Sequence, residues 1–194
     1  MSQATMIRPD PARDIAPGEE PLYEIVQGQK VEKPPMGTYQ ILVGSILLGH
    51  LYPYARMNGL GRVVSEMLFK INKAGDPLRR PDVAFVSYDR WPRDRKVDSE
   101  NGWDVVPDLF IEVVSRSNSA GEVIGKVLEY FKAGARRVWV VYPIERQVYV
   151  YESARQTRIL GIGEALDGED LLPGFRLELA ELFADGPEIP GQVV

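Results

Sequence analysis

A hairpin opens the regular part of the sequence. In LYEIVQGQKVEKP (22–34), apolar and polar residues alternate on both sides of Gln27 and Gly28. Alternation with a period of two is the pattern of a strand with one buried face, and a glycine between two such segments predicts a tight turn. We therefore predict two short antiparallel strands and place the start of the folded domain near Leu22.

A long apolar helix is predicted after the hairpin. Apolar side chains dominate positions 39–57, and Thr38 stands where an N-cap residue is expected. Pro53 predicts a bend or an interruption, because proline cannot donate the backbone hydrogen bond that a helix needs at an interior position. Asn58 and Gly59 predict the end of the helix.

Five strands are predicted beyond the helix, because the hydrophobic period changes to two and β-branched and aromatic residues become frequent. The first three predict a meander, and the last two, joined through residues 143–146, predict a second hairpin. The five segments are GRVVSEMLFKI (61–71), RRPDVAFVSY (79–88), PDLFIEVVS (107–115), RRVWVVYP (136–143) and RQVYVYES (146–153).

One more helix is predicted between the third and fourth strands, over residues 119–133. Val123, Val127 and Phe131, with Ile124 and Leu128, form its apolar stripe. The serines before the helix can cap its start, and Gly134 suits its end. A strand–helix–strand unit normally makes a right-handed parallel crossover, so the sheet should be mixed. The pattern thus predicts an α/β fold with a mixed central sheet.

Length and composition indicate a single domain with a short extension at each end. A chain of 194 residues is long enough for one substantial core. Residues 1–20 carry three prolines and no hydrophobic periodicity, and we predict that they form a flexible arm. Residues 21–184 would form the domain, and residues 185–194 a Gly/Pro-containing tail.

The chemistry open to the chain is narrowed by the absence of cysteine, which excludes disulfides and thiolate metal sites. The N-terminal residues lack the apolar core of a signal peptide, so a cytoplasmic protein is expected. The most apolar run, ILVGSILLG (41–49), is about half as long as a membrane-spanning helix and indicates a core helix instead.

The net charge of −5 argues against a protein that coats nucleic acid through many phosphate contacts. A local basic groove is one interpretation of six residues grouped around the long connection at 89–106. The alternative is a solvated loop, in which neighbouring aspartates balance the positive charges. The six basic residues are Arg79, Arg80, Arg90, Arg93, Arg95 and Lys96.

Two acids interrupt the otherwise apolar third strand. Asp108 and Glu112 point to the same face, and burying either is costly unless something pairs with it. They lie roughly 13 Å apart along a regular strand, too far to bind one ion together. Asp82 is a better partner for Glu112, because antiparallel pairing across the connection at 89–107 places it opposite position 114, to within a few residues.

Two neighbouring carboxylates repel each other unless a proton or a cation lies between them. Mg²⁺ fits, because it takes one or two carboxylates and leaves its other positions to water and phosphate. Lys126, off the apolar stripe of its helix, could hold an attacking water or stabilise charge on phosphate. The structural alternative is that Asp82 and Asp108 satisfy backbone amides, and that Lys126 pairs with Glu122 or Glu129 on its helix.

Other residues give weaker signals. Glu24 and Glu32, in the hairpin, could add a carboxylate to this site, although surface positions are expected for both. His50 has no second histidine with which to form a metal or catalytic pair, and a structural role is expected. No glycine-rich phosphate-binding motif is present, so no nucleotide cofactor is predicted.

Five segments, in order between residues 22 and 183, resemble one known family. They are LYEIVQGQKVE, RRPDVAFV, VPDLFIEVVSRSN, KVLEYFKAGARRVWVVYP and LPGFRLELAELF. Across nearly the whole folded chain, these segments resemble the Uma2 family of restriction-endonuclease-like proteins. The resemblance implies the PD-(D/E)xK nuclease fold, a single domain with a mixed central β-sheet flanked by helices and a metal site on its opening meander.

The resemblance also implies roles for particular residues. The aspartate of the motif falls on Asp82 and its (D/E) position on Glu112, and the backbone carbonyl of Val113 would complete the protein ligands of Mg²⁺ or Mn²⁺. The position two after Glu112 is Val114 where the plain motif has lysine. Similar families carry that lysine on the next helix, where Lys126 stands.

The function expected from these residues is metal-dependent endonucleolytic hydrolysis of DNA, rather than RNA, by a homodimer. Asp108 and Glu32 would support the site, and residues 79–96 would contact the nucleic-acid backbone. One alternative is a nuclease-fold module without catalysis that binds nucleic acid or a protein partner, and another is a purely structural partner protein. No target-recognition domain is recognisable, so sequence-specific cutting would need a partner.

Overall fold

The computed structural model describes residues 21–72, 77–97 and 102–187. The predicted arm at 1–20 and most of the predicted tail, residues 188–194, lie outside these ranges. Helices occupy α1 (Thr38–Met57), α2 (Ala120–Ala133) and α3 (Leu179–Leu182). Strands occupy β1 (Tyr23–Val26), β2 (Gln29–Glu32), β3 (Gly61–Ser65), β4 (Phe69–Lys70), β5 (Leu78–Arg79), β6 (Val83–Ser87), β7 (Leu109–Val113), β8 (Arg137–Tyr142), β9 (Gln147–Ser153), β10 (Gln156–Leu160), β11 (Ala165–Asp167) and β12 (Arg176–Glu178).

A mixed sheet of six strands forms the centre of the fold, in the order β10-β9-β8-β7-β6-β3. Strands β3, β6 and β7 pair antiparallel and make the predicted meander. Strand β8 then pairs parallel with β7 after the crossover through α2, and β9 and β10 follow antiparallel. The prediction of a mixed sheet is therefore confirmed, and the crossover brings α2 over the strand that carries Glu112.

Each face of the central sheet packs on its own helix. In β7, Leu109, Ile111 and Val113 face α1, whereas Phe110 faces α2. The alternation follows from the pleat of a strand, which sends successive side chains to opposite faces. Because both faces are covered, all residues of β6 and β7 are buried. Glu112 shares the face of Phe110 and so points toward α2.

The ends of the helices are only partly as predicted. Helix α2 begins with a capping box, in which Ser119 and Glu122 satisfy each other's backbone amides, and it ends at Gly134 with φ of 107°. Helix α1 instead has Gly37 as its N-cap, so the prediction that Thr38 caps it was wrong. Helix α1 also runs through Pro53 without interruption. In the described residues, no helix has the length and apolar character needed to cross a membrane.

The segment at 61–71 was predicted as one strand, and the structure divides it. Strand β3 stops at Ser65, Glu66 adopts a left-handed conformation with φ of 50°, and Phe69 begins a strand in a different sheet. Strands β10, β11 and β12 were not predicted, because their short and largely exposed sequences lack strong alternation.

The second sheet, in the order β2-β1-β5-β4, carries the N-terminal hairpin. The turn between β1 and β2 has positive φ at both Gln27 and Gly28, as a two-residue hairpin turn requires, and this hairpin was predicted. Strand β5 pairs with β1 and leads within four residues into β6. The chain path therefore places the hairpin beside the start of β6, where Asp82 lies.

Close packing of the meander predicts an effect at Gly61. A Cβ at this position would lie 2.3 Å from the carbonyl oxygen of Val86 and 2.5 Å from the ring of Phe85. We expect Gly61→Ala to destabilise the protein by about 1–3 kcal/mol, because the added methyl group overpacks the β3–β6 contact. Denaturant unfolding followed by circular dichroism measures this change.

The matched control is Gly49→Ala in α1, where a Cβ would meet nothing within 4 Å. This change should be neutral or stabilise by up to about 1 kcal/mol, because alanine is the better helix former. Equal losses of stability in the two variants would contradict the steric explanation.

Candidate functional site

Asp82 and Glu112 meet where strands β6 and β7 lie side by side. Val83 pairs with Ile111 and Phe85 pairs with Leu109, so the same register carries Asp82 to a position opposite Glu112. The midpoint of the connection had placed Asp82 opposite position 114, and the observed register differs by two residues. The predicted neighbourhood of the two acids is confirmed, and both are 8% exposed.

Asp82 is held at both carboxylate oxygens. The backbone amide of Val113 donates to Oδ2 at 2.6 Å, and Nζ of Lys33 donates to Oδ1 at 2.9 Å. The first bond joins the side chain of one strand to the backbone of the next at the residue after Glu112. It therefore fixes the acid of β6 relative to the acid of β7.

Glu112 is held from the side of helix α2. The hydroxyl of Tyr130 donates to Oε1, and Nζ of Lys126 donates to Oε2 at 3.1 Å. The ring of Tyr130 is stacked on Phe110 with 3.8 Å between centroids, which fixes its hydroxyl above the strand. Lys126 and Tyr130 are four residues apart and share one face of the helix, so both reach the same carboxylate.

A third carboxylate completes the group. Oε1 of Glu24, on β1, lies 3.2 Å from Nζ of Lys126. Its Oε2 accepts from Arg79 at 2.8 Å, and Oε1 also accepts from the backbone amide of Arg80 at 3.0 Å. Glu24 is 6% exposed, so the expectation of a surface position was wrong. Arg79 of β5 and Lys126 of α2 approach it, which alternation within the hairpin alone does not reveal.

Burial and neighbouring charge shift the pKa values in this group. Burial raises the pKa of Glu112, and the negative charges of Asp82 and Glu24 add to the rise against the opposing effect of Lys126. Burial alone would lower the pKa of Lys126, but the carboxylates of Glu112 and Glu24 reverse this and raise it. Burial and the same two carboxylates hold the pKa of Tyr130 well above its usual value. Lys126 is thus an ammonium, and Tyr130 keeps its proton.

Glu24, Asp82, Glu112 and Lys126 line a pocket of about 340 Å³. The hairpin forms one wall, where Glu32 lies exposed at the end of β2, and α2 forms the other. Asp82, Glu112 and Val113 lie in the pocket, together with Lys33 and Lys126. The structure thus brings together three predicted site side chains, the backbone of Val113 and the supporting candidate Glu32.

Asp108 lies at the opposite end of β7 from this pocket. It is 1% exposed, accepts from the backbone amide of Ser87 at 2.8 Å and pairs with Arg90 at 2.7 Å. These contacts tie the end of β6 to the start of β7. The structure therefore does not bring Asp108 to the other acids, and its contacts are those of an acid that satisfies a buried amide and a cation.

The basic residues around the long connection are largely used within the protein. Arg79 pairs with Glu24 and Glu129, and Arg90 donates to the carbonyl oxygens of Val106 and Gly134. The connection leaves β6 at Ser87, the end of the strand that lies away from Asp82. A continuous basic groove formed by residues 79–96 and leading to the acids is therefore not what the structure shows.

Sequence reasoning missed three residues that hold the site together, because Lys33 contacts Asp82, Glu66 contacts Lys33 and Tyr130 contacts Glu112. Lys33 follows β2 directly, and Glu66 follows β3, where the segment had been interpreted as continuous strand. Tyr130 lies four residues after Lys126 on the same helix, and no role was predicted for it. The spacing of four residues between Lys126 and Tyr130 was the available signal for a shared target.

The oxygen donors fit a hard divalent cation. Each oxygen of Asp82 and Glu112 accepts one protein hydrogen bond, and a carboxylate oxygen has a second lone pair for another partner. In a strand, the carbonyl of Val113 faces the same side as its amide, which donates to Asp82. In the described ranges, no three or more acidic, histidine or cysteine side chains form a metal-binding group by themselves. Mg²⁺, which keeps several waters, needs only one or two carboxylates.

The buried pairing of Arg79 predicts a structural role. Its side chain is 8% exposed and lies between Glu24 and Glu129. We expect Arg79→Met to destabilise the protein by about 3–5 kcal/mol, because it removes the cation from one oxygen of the buried Glu24 carboxylate and leaves only Lys126 at the other. Thermal and denaturant unfolding measure the loss.

The control for this variant is Arg176→Met, which removes an exposed pair with Glu178 and should cost less than about 1 kcal/mol. If Arg79 served mainly to contact nucleic acid, Arg79→Met would keep its stability and lose only binding. That result would contradict the structural role.

Comparison with known proteins agrees with the family resemblance and the fold described above. The chain matches the model of the Uma2 family, described as "Putative restriction endonuclease", over residues 12–180. A solved structure from Anabaena variabilis ATCC 29413, titled as "a putative nuclease belonging to DUF820", superposes with a TM-score of 0.75 at 22% identity, over 87% of this chain and 93% of that chain. A search of curated proteins found no match.

The family match includes Asp82, Glu112 and Lys126, and the structural likeness supports the fold implied by the sequence. The chain belongs to the Uma2 family and has the restriction-endonuclease-like fold, a mixed central sheet flanked by helices.

Proposed function

We propose that this protein is a metal-dependent endonuclease that hydrolyses phosphodiester bonds of DNA. The observation that carries the proposal is the convergence of Asp82, Glu112 and Lys126 in one pocket beside the backbone of Val113. Two adjacent carboxylates can hold a divalent ion that activates water and stabilises charge on phosphate, and a lysine beside them can donate to the reacting oxygens. The family assignment agrees with this chemistry.

Asp82, Glu112 and the carbonyl of Val113 would hold Mg²⁺ or Mn²⁺. The ion would acidify a water molecule and stabilise negative charge on the phosphate. Asp82 is suited to this task because its position is fixed by the Val113 amide. Glu112 is equally fixed by Tyr130 and Lys126, so the ligand oxygens are preorganised before any ion arrives.

Lys126 would act as a hydrogen-bond donor. Its raised pKa keeps the ammonium charged, so it cannot accept a proton from water as a general base. An ammonium has three N–H donors, and Glu112 and Glu24 use two of them in the described structure. The third is available for a phosphate oxygen or the attacking water, on which it would stabilise developing charge.

The expected partner is nucleic acid, with DNA favoured over RNA. A homodimer, a protein partner and a cytoplasmic location stay predictions from the sequence. Basic residues outside the pocket, such as Arg93, are candidates for contact with the backbone, whereas Arg79 is not because it is buried in ion pairs. Asp108 and Glu32 stay supporting candidates. Asp108 would hold β6 and β7 in position, and Glu32 would form part of the pocket wall.

The second candidate function is a nuclease-fold module that binds without catalysis. One observation favours it: every oxygen of Asp82 and Glu112 already has a protein donor. Such a site is stable without an ion. In that case the acids would be structural, and nucleic-acid or protein binding would continue in the absence of divalent ions.

The two functions are separated by removing single charges from the acids. We expect Asp82→Asn and Glu112→Gln to abolish Mn²⁺ binding in titration calorimetry and cleavage of plasmid DNA, because each removes an anionic ligand. Asp104→Asn, which changes an exposed aspartate outside the pocket, should leave both unchanged. Unaltered Mn²⁺ binding in both site variants, or cleavage in EDTA, would contradict the proposed metal site.

Lys126→Met tests the role of the lysine. We expect the cleavage rate to fall by about 10²–10³, as for loss of one preorganised donor to developing charge, while one Mn²⁺ still binds. Lys126→Arg, which keeps the charge, should recover part of the rate. Equal loss of Mn²⁺ binding and cleavage in Lys126→Met would show instead that the lysine acts through the metal ligands.

A further inference from the structure

Lys33 makes the most complete set of contacts of any cation in the pocket, and the proposed chemistry does not use it. Its Nζ lies 2.9 Å from Oδ1 of Asp82, 2.9 Å from Oε2 of Glu66 and 3.1 Å from the backbone carbonyl oxygen of Arg80. An ammonium has three donors, and all three are used. Lys33 therefore has no donor left for water or phosphate, in contrast to Lys126.

The surroundings of Lys33 hold it in place. The lysine follows β2, and its backbone amide extends the hairpin by donating to Leu22 at 2.8 Å. Its side chain is 12% exposed. Its Nζ forms salt bridges with Asp82 and Glu66. Lys33 is therefore a positive charge held beside a proposed metal ligand.

Glu66 is held toward Lys33 by an unusual backbone. Its φ of 50° lies in the left-handed region, which residues other than glycine adopt at some cost. Its amide donates to the carbonyl of Asp82 at 3.2 Å, and its own carbonyl accepts from Arg80. Glu66 thus keeps a strained backbone conformation in which its carboxylate contacts the Lys33 ammonium.

The three partners of Lys33 are all hard oxygen donors, namely two carboxylates and one backbone carbonyl. This is the donor set that Mg²⁺ or Mn²⁺ takes from proteins. One of them, Asp82, is also a proposed ligand of the catalytic ion, and in two-metal sites a shared carboxylate joins ions about 3.5–4 Å apart. The Lys33 ammonium thus lies where a second ion of such a pair would be bound.

We infer that Lys33 is a built-in cation that takes the place of a second metal ion, so that the site binds one divalent ion per chain. Lys33 is a positioning residue in this role: it orients Asp82 and neutralises Glu66 without contacting substrate. The inference rests on the proposed metal site formed by Asp82, Glu112 and Val113. It assigns the single ion to the proposed site formed by Asp82, Glu112 and Val113, and none to the oxygens around Lys33.

The test is a count of bound Mn²⁺, with Mn²⁺ alone as the probe, by electron paramagnetic resonance of the free ion and by calorimetry. The natural protein should bind one ion per chain. Lys33→Gln should bind two, because the oxygens of Asp82, Glu66 and Arg80 lose their cation. The double variant Lys33→Gln/Glu66→Gln should return to one ion, because it lacks the second carboxylate. Lys33→Arg, which keeps the charge, should also bind one.

A thermal readout accompanies the count. Lys33→Gln should have a lower Tm than the natural protein in EDTA and should regain more of it when Mn²⁺ is added, since the second ion replaces the lost charge. A purely structural lysine would lower Tm without changing the number of ions. If Lys33→Gln does not fold without metal, it is prepared in Mn²⁺ and the bound ions are counted after gel filtration.

The outcomes separate this inference from the proposed function. Two ions in the natural protein, or one ion in both the natural protein and Lys33→Gln, would overturn the role of Lys33 and leave the metal site standing. No ion in the natural protein would overturn the metal site and the inference together. The count in the natural protein does not depend on whether any variant folds.

Discussion

The arrangement around the pocket follows from one constraint: three carboxylates are buried close together and each must have a cation or a strong donor. Asp82, Glu112 and Glu24 are all less than 9% exposed. Like charges in such surroundings would oppose folding by several kcal/mol without compensation. The compensating groups come from the end of the hairpin, β5, β7 and α2, so pairing every charge requires these elements to assemble together.

The N-terminal hairpin shows how this constraint determines architecture. It supplies both an acid, Glu24, and a cation, Lys33, and these reach different partners in the pocket. Strand β5 brings Arg79 to Glu24, and α2 brings Lys126 between Glu24 and Glu112. Phe69 of β4 packs the second sheet into the core beside Phe110. The ion pairs join the hairpin end of this sheet to the acids of the pocket.

Sequence reasoning succeeded where the signal was local or followed from periodicity. The capping serine and Gly134 predicted the two ends of α2. The alternation of side chains along a strand predicted that Glu112 and Asp108 share one face. The predicted register of Asp82 differed from the observed one by two residues, because a long connection does not determine strand pairing. The bond from the Val113 amide to Asp82 accompanies the observed register, and no pattern of hydrophobic residues encodes that bond.

The residues that were missed share a physical reason: their burial depends on contacts between segments far apart in sequence. Glu24 alternates with apolar neighbours as a surface residue would, and it becomes buried only because Arg79 and Lys126 approach from positions 55 and more residues away. Lys33 stands before a proline, as loop residues often do, but its partners are Glu66, Arg80 and Asp82. Local sequence carries no record of such pairings.

The compensation that stabilises the fold also weakens the attraction of the pocket for a free metal ion. An ion at the proposed site would gain less from carboxylates already neutralised by Lys33 and Lys126 than from bare ones, because each ammonium reduces the local negative potential. A phosphate group of the proposed substrate would add negative charge and would contact the remaining donor of Lys126. Metal and phosphate should therefore bind with positive coupling, each increasing the affinity for the other.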